Sequence, residues 1–231
     1  MGLFDFFKKS PAPKQPAQTI PAGPYRDNST NFLYNLLFCD NLDLYKANAQ
    51  LPSYPFDILF SESSSPADLQ KIIDDATADP RIKVLAYNKQ LALGQTPAKK
   101  ELLAVIVEVG LDGGLDVLAS FNNGTARYIN QTGKVLIWET TEDTTANGLT
   151  NELFARSAQI IDQIGPWDKP RKPHPAGGNA RISFLVSDGL YFGEAPVDTL
   201  FNDPLARAAL QSATKLMQYL THKSLEKSPN P

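Results

Sequence analysis

The stretch from Leu102 to Glu139 most constrains what this chain can fold into. Leu102–Val109 is its most apolar run and is rich in β-branched residues, the composition of a strand covered on both faces. Asp112-Gly113 follows as a two-residue hairpin signal, and Leu115–Phe121 returns. Asn123-Gly124 then precedes Ala126–Asn130, and Thr132-Gly133 precedes Lys134–Glu139. Four strands joined by tight turns predict an antiparallel meander. The connections leave no room for the helical crossovers that a parallel, doubly wound sheet requires.

The flanking sequence predicts helices and a second hairpin. Asn28, Ser29 and Thr30 open a first helix that ends near Asp40 or continues in broken form to Lys46. Ser65-Pro66 starts another, with Asp68 three residues after the cap, and Asp79-Pro80 is expected to stop it. Phe56–Phe60 reads as a short strand. The alternation of Ile82, Val84 and Ala86, continued by Leu91 and Leu93, reads as further sheet. Leu149, Leu153, Ser157, Ile160, Ile161 and Ile164 share one face of a later helix, closed by Gly165-Pro166. A proline-rich loop covers 166–180, then Arg181–Val186 and Leu190–Phe192 pair across Ser187-Asp188-Gly189. Asp203-Pro204 starts the last helix. The expected fold class is α+β: an antiparallel meander sheet with helices packed against it. A single domain is expected over 25–222, between a proline-rich tail at 1–24 and a short tail at 223–231.

Composition narrows the function classes. The 231 residues are 42% hydrophobic and carry a net charge of -3, with a pI near 5.4. That balance speaks against a sequence-independent nucleic-acid binder, which would present a basic domain. The single cysteine, Cys39, excludes an intrachain disulfide and zinc sites built on two or more cysteines. No apolar run approaches the ~18 residues of a spanning helix, and no signal peptide is recognisable, so a cytoplasmic protein is expected. Leu3, Phe4, Phe6 and Phe7, followed by Lys8-Lys9, read as a frayed terminus; the functional alternative is a weak contact of residues 1–9 with a partner or an anionic membrane surface.

The chain lacks GxSxG, GxxxxGK[ST], HExxH and GxGxxG. Cys39, among Leu37, Phe38 and Asp40, reads as a small buried hydrophobe. Glu108 interrupts the most apolar strand, on the face it shares with Ala104 and Ile106 and opposite Leu103, Val105 and Val107. A buried acid needs a partner, and Arg127 and Arg181 are the candidates for a structural ion pair. The loop at 166–180 and the hairpin beyond it hold Trp167, Arg171, His174, Tyr191 and Glu194, the expected binding residues, because loops fixed to a rigid sheet are where recognition groups collect. No metal and no cofactor are expected. The function read from these features is a non-catalytic binding or regulatory module acting through a protein partner. The alternative is a small enzyme, such as a hydrolase, using Glu108 with the turn acids Asp112, Asp116, Asp188 and Glu194, with or without a divalent cation.

Leu102–Val109, Gly114-Leu115-Asp116, Ala126–Asn130, Gly165-Pro166-Trp167 and Gly189–Gly193 together resemble a family of uncharacterised bacterial proteins, over roughly 28–222. The resemblance implies a bacterial cytoplasmic setting and carries no activity, cofactor or site. The meander, helix and hairpin are also similar in layout to profilin-like and roadblock-like folds.

Overall fold

The computed structural model describes residues 23–46 and 53–227. The Phe-rich start, the proline-rich segment up to Ile20-Pro21-Ala22, and Ser228–Pro231 lie outside the described residues.

One antiparallel sheet of six strands organises the chain. The meander supplies β1 (Leu102–Leu111), β2 (Gly114–Phe121), β3 (Ala126–Ile129) and β4 (Val135–Trp138). The second hairpin supplies β5 (Asn179–Val186) and β6 (Gly189–Pro196), and the spatial order is β4-β3-β2-β1-β5-β6. Thus β1 and β5 pair side by side, and the most apolar strand lies inside the sheet.

Helices cover both faces. On one lie α1 (Asn28–Leu36), α2 (Asp43–Lys46), α3 (Phe56–Phe60), α4 (Pro66–Asp74) and α5 (Pro80–Ala92). Their core joins Tyr34, Phe38, Leu59, Leu69 and Ile72 to Ala104, Ile106, Val117 and Phe121. On the other face, α6 (Thr144–Ile161) and α8 (Pro204–Lys227) pack Leu153, Ala209, Leu216 and Leu220 against Val105, Val107, Leu118 and Phe184. A short α7 (Val197–Asn202) joins β6 to α8. The fold is α+β, with the helices 28–92 sharing a core with the sheet.

Several sequence expectations change. Ile82, Val84 and Ala86 are helical, in α5, and Leu91 belongs to the same helix. The Asp79-Pro80 pair does not stop α4, which ends at Asp74 with Asp75 extended, but starts α5: Asp79 accepts from Arg81 N–H at 2.8 Å, and proline fits the first turn. The alternation was fortuitous, because buried residues of α5 lie on more than one side of the helix where it is wedged between α4 and the sheet. Phe56–Phe60 is also helical; the two rings are four residues apart and stack with centroids 5.3 Å apart. Lys89 of α5 donates to the carbonyls of Ile58, Leu59 and Ser61, which end this helix. With Asp143 as its cap, α6 starts at Thr144, five residues before Leu149, and α8 runs on past 222 to Lys227. Leu103 lies with Ala104 and not with Val105, because the β1–β5 register shifts between Leu102 and Ala104 and one extra residue turns there.

Candidate functional site

Register places a row of charges across three strands. Glu108 of β1 faces Arg181 of β5, and Arg181 faces Glu194 of β6. Arg181 is 1% exposed and Glu108 is fully buried. The guanidinium lies 3.7 Å from Glu108 Oε2 and donates through Nε to Glu194 Oε2 at 3.0 Å. It also donates to the carbonyls of Lys172 and Pro173, in the loop before β5. Tyr34 of α1 completes the group, its hydroxyl donating to Glu108 Oε1 at 2.7 Å. Burial pushes the Glu108 carboxyl above the usual carboxylate range, against the pull of Arg181 and of the Tyr34 hydrogen bond. Burial likewise pushes the Tyr34 phenol up.

The same loop is fastened to α1 by Arg171. Its Nε donates to Asp40 Oδ2 at 2.6 Å and its Nη2 to Asn35 Oδ1 at 2.8 Å. Its guanidinium lies 3.9 Å from the centre of the Phe38 ring. Trp167 anchors the start of the loop: its N–H donates to Leu190 O at 2.7 Å, its indole N–H donates to Pro170 O, and its ring meets Phe192 edge-on at 5.0 Å. Gly110 is required where the loop ends, since a Cβ there would fall 2.1 Å from Ala176 O.

Between the fastened loop, the α1–α2 connection and α5 lies a cleft of about 610 Å³. Phe38, Leu42, Leu44, Val84, Leu185 and Leu190 give it apolar walls, and Asn35, Asp40, Asn88, Lys169 and Arg171 supply polar groups. Cys39 lies behind the lining, between Phe38 and Asp40. It takes the left-handed conformation (φ 52°) after α1, and its carbonyl accepts from Asn88 Nδ2 at 2.9 Å. Burial pushes its thiol up to about 12, so it carries no thiolate at neutral pH.

The structure brings together only some of the expected residues. Arg171 lines the cleft, and Trp167 and Glu194 hold its loop and the neighbouring sheet face. Tyr191 does not belong with them. Its ring is buried in the opposite core, its hydroxyl donates to Asp188 at 2.8 Å, and Lys100 lies over it. Adjacent residues of a strand point to opposite faces, so Tyr191 turns away where Phe192 turns in. His174 is exposed beside Pro175 O and is not part of the cleft lining. Arg127 is not the partner of Glu108. It lies on β3, two strands away and two residues along, and pairs with Glu139. Of the acids of the enzyme alternative, only Glu194 comes near Glu108, both being held by Arg181; Asp116 accepts from Gln131 N–H and Asp188 from Tyr191. Among the described residues no group of three or more His, Cys, Asp or Glu is placed to hold a metal, and no helix is long and apolar enough to cross a membrane.

Sequence reasoning missed Tyr34, Asn35 and Asp40. A signal was present: Asn31 and Asn35 are poor helix formers inside a helix, and both are buried and bonded. No protein-family model matches the chain and no curated protein matches it.

Proposed function

We propose that the protein is a non-catalytic binding module that takes a short segment of a partner protein into the cleft between α1–α2, α5 and the 166–178 loop. The observation that carries this reading is an apolar-walled cleft with hydrogen-bonding groups at fixed positions, framed by side chains already committed to structural partners. Phe38, Leu42 and Leu190 offer area to apolar side chains, while Asn88 and Lys169 offer hydrogen bonds to a peptide backbone. The groups that chemistry would need are otherwise engaged: Glu108 is sealed in its ion pair and Cys39 is held as a thiol. The acidic pI supports a protein partner over a nucleic acid, and the lone buried cysteine fits a cytoplasmic setting. The test is selection of short peptides from a random display library on the full-length protein, with each recovered sequence assayed again on Leu42→Arg. Peptides that bind the wild type and lose at least about tenfold in affinity on the variant support the cleft. Recovery of none, or of peptides indifferent to Leu42→Arg, contradicts it.

A further inference from the structure

The two edges of the sheet are finished differently. Along β6, Trp167 N–H donates to the outward Leu190 O, and α7 packs against the strand. At Val135 and Ile137 of β4, no backbone hydrogen bond to the outer side is present among the described residues. Pairing with β3 determines which groups face outward. Asn130 N–H donates to Lys134 O at 3.0 Å, so Lys134, Leu136 and Trp138 turn their backbone groups inward. By the antiparallel alternation, the N–H and C=O of Val135 and Ile137 point away from the sheet. These same two residues carry exposed apolar side chains, 37% and 58% accessible, on the α1–α5 face. The strand has no proline and no inward charge, and its one protection as an edge is that it is only four residues long.

We propose that β4 pairs with β4 of a second copy of this chain, antiparallel about a two-fold axis at Leu136. That register sets Val135 against the partner's Ile137 and Ile137 against the partner's Val135. All four residues then offer their outward N–H and C=O groups to one another, closing four backbone hydrogen bonds. The apolar side chains meet on one face, and a slip by one residue would lose that match. Charge favours the same arrangement. Lys134 and Glu139 flank β4 at opposite ends, so an antiparallel copy brings Lys134 near the partner's Glu139 and keeps like charges apart. The edge is self-complementary, which is why a second copy is the occupant. Four residues of strand fall well short of a standard interface of about 1,600 Å², so the dimer is weak and concentration-dependent.

Sedimentation equilibrium of the full-length protein from about 1 to 200 µM is the test, a span that brackets dissociation constants of a weak dimer. The expected result is an average mass that rises from 25.3 kDa toward twice that value. Ile137→Glu, placed beside Arg127, should stay at the monomer mass throughout with an unchanged melting temperature. Ile137→Pro should do the same by removing one outward N–H, a change an edge strand tolerates. A wild type that is monomeric at every concentration, or variants that dimerise as it does, overturns the proposal. So does dimerisation confined to a full-length Phe4→Asp, Phe7→Asp variant, which would show that the chain's own N-terminal segment occupies β4.

Discussion

Arg181 lies 3.7 Å from Glu108 with both side chains withdrawn from solvent, and the strand pairing of β1 with β5 sets them opposite each other. Taking two charges out of water costs several kcal/mol per ion, and the pair is tolerable only because each has further partners. Tyr34 serves the carboxylate; Glu194 and two loop carbonyls serve the guanidinium. The pair therefore ties α1, three strands and the 166–178 loop into one polar unit beside the cleft.

Removing the carboxylate should be severe. Glu108→Ala strands Arg181 and leaves the Tyr34 hydroxyl without its acceptor, a loss of about 3–5 kcal/mol for a broken buried pair. Glu108→Gln keeps the acceptor and the volume and should cost less. Urea unfolding of both variants checks the order, and near-normal stability of Glu108→Ala would contradict the pairing.

The same group predicts a pH dependence. The Glu108 carboxyl titrates above its unfolded range, so the native state binds this proton more tightly than the unfolded state does. The contribution is fully present below the unfolded pKa and is lost as pH rises through the folded one. The stability of the wild type relative to Glu108→Gln should therefore fall as pH is raised from 4 through the folded pKa. Melting curves of the pair at several pH values measure it; a difference constant with pH, or rising, contradicts it.

Cys39 should be inert in the native state. Its thiol is buried and held protonated, with the Tyr45 hydroxyl beside it at 3.4 Å. Ellman's reagent at pH 8 should react fully in guanidinium chloride and only at the rate of unfolding in buffer. Rapid native labelling would show an accessible thiolate.

Two helix caps offer a comparison. Ser65 forms a reciprocal capping box with Asp68 and sits at the surface. Asp79 caps α5 and also holds Arg81, whose guanidinium lies over Phe121. Ser65→Ala should cost about 1 kcal/mol. Asp79→Ala should cost more, because Arg81 loses its carboxylate next to Arg127. Denaturation midpoints of the two variants give the order.

The meander and the second hairpin were legible because two-residue turns and apolar runs act locally. The α5 helix was not, since an Asp-Pro pair reads equally as a stop and as a start and its burial follows its position between α4 and the sheet. The ion pair was half legible. Burial of Glu108 followed from its apolar strand, but the choice of Arg181 over Arg127 depends on β5 lying beside β1, a non-local fact. Tyr191 and Glu194 are three residues apart in one strand, and that odd spacing already forbids a shared face. The cleft itself was invisible, because residues 35–44, 84–88 and 169–190 meet only in the fold.

A partner segment docked in the cleft would perturb the backbone amides that line it. The most direct measurement is a backbone amide chemical-shift map of the full-length protein titrated with a peptide selected on it. Saturable shifts should concentrate at Phe38, Leu42, Leu44, Asn88, Lys169, Arg171 and Leu190, and Leu42→Arg should abolish them. Shifts centred elsewhere, on β4 or the α6–α8 face, with the cleft amides unmoved, would contradict it.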